Sequence, residues 1–111
     1  VTVADIARAV GGEFVVEADA GRAVAGCYVS DMLSDVLASS NEGDLWITQH
    51  THANVAVVAS VKELAAVLLT GRKPIDEDMV AKARTEGVNV IRTGLTAFQA
   101  AGEVYALLKR T

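Results

Sequence analysis

Three short apolar runs, each ending on a threonine, set the rhythm of the chain: Asp44-Leu45-Trp46-Ile47-Thr48, Ala65-Ala66-Val67-Leu68-Leu69-Thr70 and Val88-Asn89-Val90-Ile91-Arg92-Thr93. The threonines fall 22 and then 23 residues apart. Each run is followed by polar or glycine-containing residues and then by a stretch with helical spacing. This alternation predicts a single α/β domain over residues 1–111, with a mostly parallel sheet flanked by helices. In such a sheet the three threonines line the carboxyl edge, where open α/β sheets bind ligands.

The flanking elements follow from local signals. Thr2 to Val10 reads as a helix, with Thr2 as cap and Asp5 completing an approximate capping box. Val3, Ile6, Ala7 and Val10 form its apolar face, and Gly11-Gly12 stops it. A β segment, Glu13 to Glu17, and a turn at Asp19-Ala20-Gly21 come next. Val24 to Val29 is the following strand. Ser30-Asp31 then reads as the N-cap pair of a helix from Met32 to about Ser39, with Met32, Leu33, Val36 and Leu37 inward. Ala53 to Leu64 is ambiguous: Val and Ala favour a strand, whereas Val55, Val58, Val61 and Leu64 recur every three residues. Length decides for a crossover helix of about three turns between parallel strands. Asp76 caps a helix to about Glu86, with Glu77 and Asp78 in its first turn. Met79, Val80 and Ala83 face inward there, and Gly87 ends it. The last helix, Leu95 to Lys109, carries Leu95, Phe98, Ala101-Gly102, Tyr105 and Leu108 on one stripe.

Composition narrows this picture. Apolar residues make up 51% of the chain but aromatic ones only 5%, so the core is built from Ala, Val, Leu and Ile. A net charge of −4 and pI near 5.0 disfavour a nucleic-acid partner. Cys27, the single cysteine, has no internal disulfide partner and points to a reducing cytoplasm. Its place in a strand predicts a buried, small apolar residue. No apolar run approaches the roughly 20 residues of a membrane span, and the start shows no export signal. The first residue is Val rather than Met, which fits a piece of something longer. High apolar content in a thin α/β layer leaves an edge or helix face to be covered, which predicts a two-fold homodimer.

Candidate chemistry gathers at the strand ends. Ser30, Asp31, Thr48, His50, Thr70, Gly71, Arg72, Thr93 and Gly94 form the candidate ligand-binding set, with hydroxyls, backbone N–H groups and nearby helix starts. Arg72 and Lys73 add full charges, so the cleft suits a phosphate, carboxylate or nucleotide. The plainer alternative is that threonine is a good strand residue and helix cap. His50 and His52 project to the same side of an extended segment, with Cys27 or Asp31 as a conceivable third metal ligand. Zinc or iron sites need three or four ligands, so this pair is a weak metal candidate. Ser30-Asp31 and Ser34-Asp35 lack the third group of a catalytic serine; capping accounts for the first pair and an exposed helix surface for the second. No phosphate-binding-loop pattern occurs, and neither catalysis nor a cofactor is expected.

Tyr28-Val29-Ser30-Asp31-Met32-Leu33-Ser34-Asp35-Val36, followed by Glu42-Gly43-Asp44-Leu45-Trp46-Ile47-Thr48, resembles the DRTGG domain. So do Leu69-Thr70-Gly71, Asp76 to Gly87 and Val88-Asn89-Val90-Ile91, and the likeness covers nearly the whole chain. The resemblance implies a fold like the amino-terminal domain of HPr kinase/phosphorylase. It also implies a module found alone, beside CBS domains or in phosphate acetyltransferases. Of the two patches that name the family, Thr70-Gly71 keeps the second, with Arg72 in place of its last glycine. Gln49-His50-Thr51-His52 stands where the Asp-Arg patch is expected. The resemblance implies a non-catalytic regulatory or sensor module for a small anionic metabolite or nucleotide. The alternative is a protein-docking or dimerisation module with no small ligand.

Overall fold

β4 (Ala66–Leu69) lies at the centre of a five-stranded sheet, and all four of its residues are buried. The computed structural model describes residues 1–110. The other strands are β1 (Glu13–Val16), β2 (Gly26–Val29), β3 (Asp44–Thr48) and β5 (Val90–Arg92), in the spatial order β1-β5-β4-β3-β2. β2, β3, β4 and β5 run parallel, and only the edge strand β1 is antiparallel, to β5. Helices α1 (Val3–Ala9) and α5 (Ala97–Arg110) cover one face. Helices α2 (Leu33–Ser39), α3 (Ala53–Val61) and α4 (Glu77–Glu86) cover the other.

Side chains of successive strand residues alternate between the faces, so each strand feeds both cores. Trp46, Val67, Leu69 and Val90 pack with Val36, Val55, Ala56, Met79 and Ala83. Leu45, Ile47, Ala66, Leu68 and Ile91 pack with Val3, Ile6, Ala100 and Val104. Continuous apolar runs are what two-sided burial demands.

The α1 capping box forms with Asp in the usual Glu position: Asp5 N–H donates to Thr2 Oγ1 at 3.3 Å, and Thr2 N–H to Asp5 Oδ2 at 2.9 Å. Three helices depart from the sequence reading. In α3 the three-residue repeat drifts off the buried face: Val61 is exposed, and Ala56 and Ala59 take its place. That is the consequence of a 3.6-residue turn. In α2 the cap position falls on Met32, which with Leu37 is exposed, leaving Val36 as the fully buried contact. In α5 the buried residues are the small Ala100 and Val104, while Phe98 is 88% and Tyr105 66% exposed. That helix carries apolar residues on two faces, and the smaller set fits against the sheet. It starts two residues later than predicted, where Thr96 and Gln99 make reciprocal capping bonds of 3.1 and 3.2 Å.

Asn89 is buried within an apolar run and uses all its hydrogen-bonding capacity. Its Oδ1 accepts from the N–H groups of Ala18 and Asp19 at 2.9 and 2.8 Å. Its Nδ2 donates to Asp19 O at 2.8 Å and to Ala65 O at 3.0 Å. One side chain thus fastens the β1–β2 connection to the start of β4. Replacing Asn89 with Ala leaves several of these groups unpaired and is expected to cost about 2–4 kcal/mol. Urea unfolding measures this, and a loss under about 0.5 kcal/mol would contradict the role.

Candidate functional site

The three threonines stand side by side at the carboxyl edge. Thr70 N–H donates to Thr48 O, and Thr93 N–H to Leu69 O, both at 3.1 Å. Their hydroxyls do not converge, however. Thr48 lies opposite Leu69, and Leu69 opposite Arg92, so Thr70 and Thr93 sit one residue out of phase with Thr48. One residue of phase reverses the face of a strand side chain. Thr48 therefore turns towards α2, and Thr93 towards the end of α1. The single cluster read from the sequence divides into two.

The first group surrounds Asp31. Its Oδ1 accepts from the Thr48 hydroxyl at 2.8 Å and from Gln49 N–H at 2.9 Å, so it ties β3 to the loop before α2 instead of capping that helix. Ser30 Oγ accepts from Met32 N–H at 3.1 Å. Asp35, expected on an open helix surface, accepts from the Tyr28 hydroxyl at 2.8 Å. Burial alone would raise the Asp31 carboxyl. The hydrogen bonds from Gln49 and Thr48, with the charges of His50 and Lys73, outweigh it and hold the group below its ordinary value. The His50 and His52 rings are tilted, with centroids 5.2 Å apart. Among the described residues, no three His, Cys, Asp or Glu side chains gather as a metal site. Cys27 packs on the α1/α5 face instead, where burial and the Asp44 charge push its thiol up to about 12.

The second group lines a cavity of about 310 Å³ over the ends of β4 and β5. Of the predicted residues it takes Thr70, Arg72, Thr93 and Gly94; Ser30, Asp31, Thr48, His50 and Gly71 lie outside it. Gly71 makes the turn that leads in, at φ +86°, where a side chain would be strained. Arg72 follows in the same left-handed region at φ +55°, and its Nη2 donates to Gly94 O at 3.1 Å. A Cβ on Gly94 would come within 3.1 Å of that Nη2, so the glycine leaves room for the guanidinium. Thr93 is engaged: its hydroxyl donates to Val10 O at 2.8 Å and accepts from Leu95 N–H at 3.1 Å.

Thr70 is not. Thr70 lines the cavity, and its Oγ1, shielded from solvent, is among the described residues the buried side-chain polar atom without a hydrogen-bond partner. An unpaired buried hydroxyl costs about 1–3 kcal/mol, which a valine of the same shape would avoid. Around it the exposed rim carries Arg72, Lys73 and Arg92 against one carboxylate, Glu13, which pairs with Arg92 Nε at 2.6 Å. The mouth is therefore cationic on a chain of net charge −4. Thr51, Glu13 and Arg92 were not among the predicted site residues. Glu13 and Arg92 are brought together by the antiparallel β1–β5 pairing, across 79 residues of sequence.

The sequence pattern of the DRTGG domain matches residues 5–107. The chain belongs to the DRTGG domain family. The fold agrees: the crystal structure of the CBS and DRTGG domains of the regulatory region of Clostridium perfringens pyrophosphatase, complexed with the activator diadenosine tetraphosphate, aligns with a TM-score of 0.74. Sequence identity is 16%, and the alignment covers 93% of this chain and 45% of the other, so the chain spans less than half the length of that structure. A comparison with curated proteins gave no match. In this DRTGG domain Arg72 replaces the second glycine of the Thr-Gly-Gly patch yet keeps a glycine-like backbone conformation. Strain of that kind collects at functional sites.

Two measurements check this geometry. Thr70→Val is expected to leave the unfolding free energy unchanged or raise it by about 1 kcal/mol; a loss of that size would mean the hydroxyl is already satisfied within the fold. For Asp31, a lowered folded-state value stabilises the fold above the ordinary carboxylate pKa of about 3.9 and loses that contribution as acid takes the pH through the lowered value. The stability gap between wild type and Asp31→Asn should thus be full at pH 6 and shrink below pH about 4. A gap independent of pH would contradict the assignment.

Proposed function

We propose that this DRTGG domain is a non-catalytic regulatory module that senses a small anionic ligand, a metabolite or nucleotide, at the carboxyl edge of its sheet. The observation that carries the reading is the buried, unpartnered Thr70 hydroxyl beneath a cationic rim. A donor held there at a cost to the fold gains an acceptor when an anion enters. The regulatory setting is supported by the fold likeness to a pyrophosphatase regulatory region crystallised with a nucleotide activator. Ser30 Oγ is occupied by Met32 N–H, and Asp31 by the Thr48 hydroxyl and Gln49 N–H, which suits a structural edge more than an acid–base pair. No described helix is long and apolar enough to cross a membrane, and a single cysteine, Cys27, suits a reducing cytoplasm.

A specific surface favours self-association as well. Phe98 and Tyr105 stand exposed on α5 on either side of Ala101-Gly102, beside the half-exposed Val29 of the edge strand β2. A Cβ at Gly102 would meet nothing within 4 Å, so no contact inside the chain explains a glycine in the middle of a helix. Its cost relative to alanine is about 1 kcal/mol. Large residues four before and three after a small centre are self-complementary across a two-fold axis. A second copy of α5 crossing at Gly102 would cover both rings. The docking alternative uses this face alone.

A thermal-shift titration separates the readings, since a ligand of the native state raises the melting temperature with concentration. Phosphates, acyl phosphates or nucleotides should raise it. If all leave it unmoved, the docking reading stands in its place. Light scattering should give twice the chain mass for the wild type and the monomer mass for Phe98→Asp. A monomeric wild type would remove the dimer.

A further inference from the structure

Resting on that ligand-site reading, we infer that the ligand is a phosphate monoester of a small, non-aromatic hydroxylated compound. Its phosphoryl group would sit on Thr70 beneath Arg72 and Lys73, and its hydroxyl groups would reach the Glu13–Arg92 ion pair. The charge pattern gives the first part. Thr70, buried and with its hydroxyl unpaired, lines the cavity from the end of β4, while Arg72 and Lys73 come from the loop that follows. Donors arriving from separate directions suit the three oxygens of a tetrahedral phosphoryl group better than the two coplanar oxygens of a carboxylate. Tethering through Nη2 to Gly94 O fixes the Arg72 guanidinium and leaves its remaining N–H groups to donate.

The walls give the second part. None of the chain's aromatic residues lines the cavity, and its apolar surface comes from Leu69 and Ile75. A nucleobase would find no ring to stack on. At the β1 side, Glu13 offers a carboxylate whose charge Arg92 balances at 2.6 Å. A balanced pair accepts from and donates to hydroxyl groups without repelling a nearby phosphate. About 310 Å³ accommodates a phosphoryl group with a short tail.

Isothermal titration of the full chain with inorganic phosphate, glycerol 3-phosphate, AMP and citrate tests this. Glycerol 3-phosphate should bind at least as tightly as inorganic phosphate, and AMP no tighter than glycerol 3-phosphate. Thr70→Val should weaken glycerol 3-phosphate at least about tenfold and Thr70→Ser less than about threefold, the loss expected for one hydrogen bond to a charged group. Glu13→Gln should weaken glycerol 3-phosphate while leaving inorganic phosphate as tight or tighter. AMP bound tenfold more tightly than glycerol 3-phosphate, or citrate bound where phosphates are not, would overturn this ligand class and leave the anion-sensing reading in place. Phosphate binding indifferent to Thr70→Val would overturn the assignment to this cavity. Failure of all four probes to bind would overturn both readings.

Discussion

Because β4 is paired on both sides with parallel neighbours, its backbone polar groups are satisfied within the sheet and both its faces must be covered. That requirement shapes the rest of the molecule. It forces connections long enough to cross over, which become α3 and α4. It demands strands apolar on both faces, which is why Ala66 to Leu69 contains no polar residue. It also brings the ends of β3, β4 and β5 to one edge, where the chain must leave the sheet and polar groups again become tolerable.

At that edge the structure departs from the economy of its interior. Asn89, buried between the elements, has partners for both its amide atoms, whereas Thr70 has none for its hydroxyl. Arg72 adopts a conformation that favours glycine, and Gly94 yields space to its side chain. The unpaired hydroxyl and one of the two left-handed non-glycine residues thus fall around one cavity, while the other, Glu63 at φ +54°, lies apart, beyond the end of α3. A conflict between local preference and fold that coincides with an unpaired buried hydroxyl points to a site more strongly than either alone.

The repeat of apolar runs ending on threonine made the parallel sheet and the shared carboxyl edge of its strands legible in the sequence, because two-sided burial leaves a signature in every strand. Caps at Thr2 and the stop at Gly87 were legible for the same reason: they are local. What escaped was set by non-local register. The phase that turns Thr48 away from Thr70 depends on which residue of β3 faces which residue of β4. Glu13 meets Arg92 only because the first strand pairs with the last. Asp31 looked like a helix cap, since a cap and a cross-strand acceptor have the same composition. In α5 the larger residues formed the more conspicuous stripe, yet the narrow space above the sheet selected Ala100 and Val104.

The central claim is that a buried hydroxyl and a cationic rim at the ends of β4 and β5 form an anion seat. A ¹⁵N-resolved NMR titration with a phosphate monoester tests it most directly. The account predicts saturable shifts concentrated in the amides of Thr70, Gly71, Arg72, Lys73, Thr93 and Gly94, with those of His50 and α5 little changed. Shifts centred on α5 or around Asp31, with the Thr70 and Thr93 amides unmoved, would contradict it.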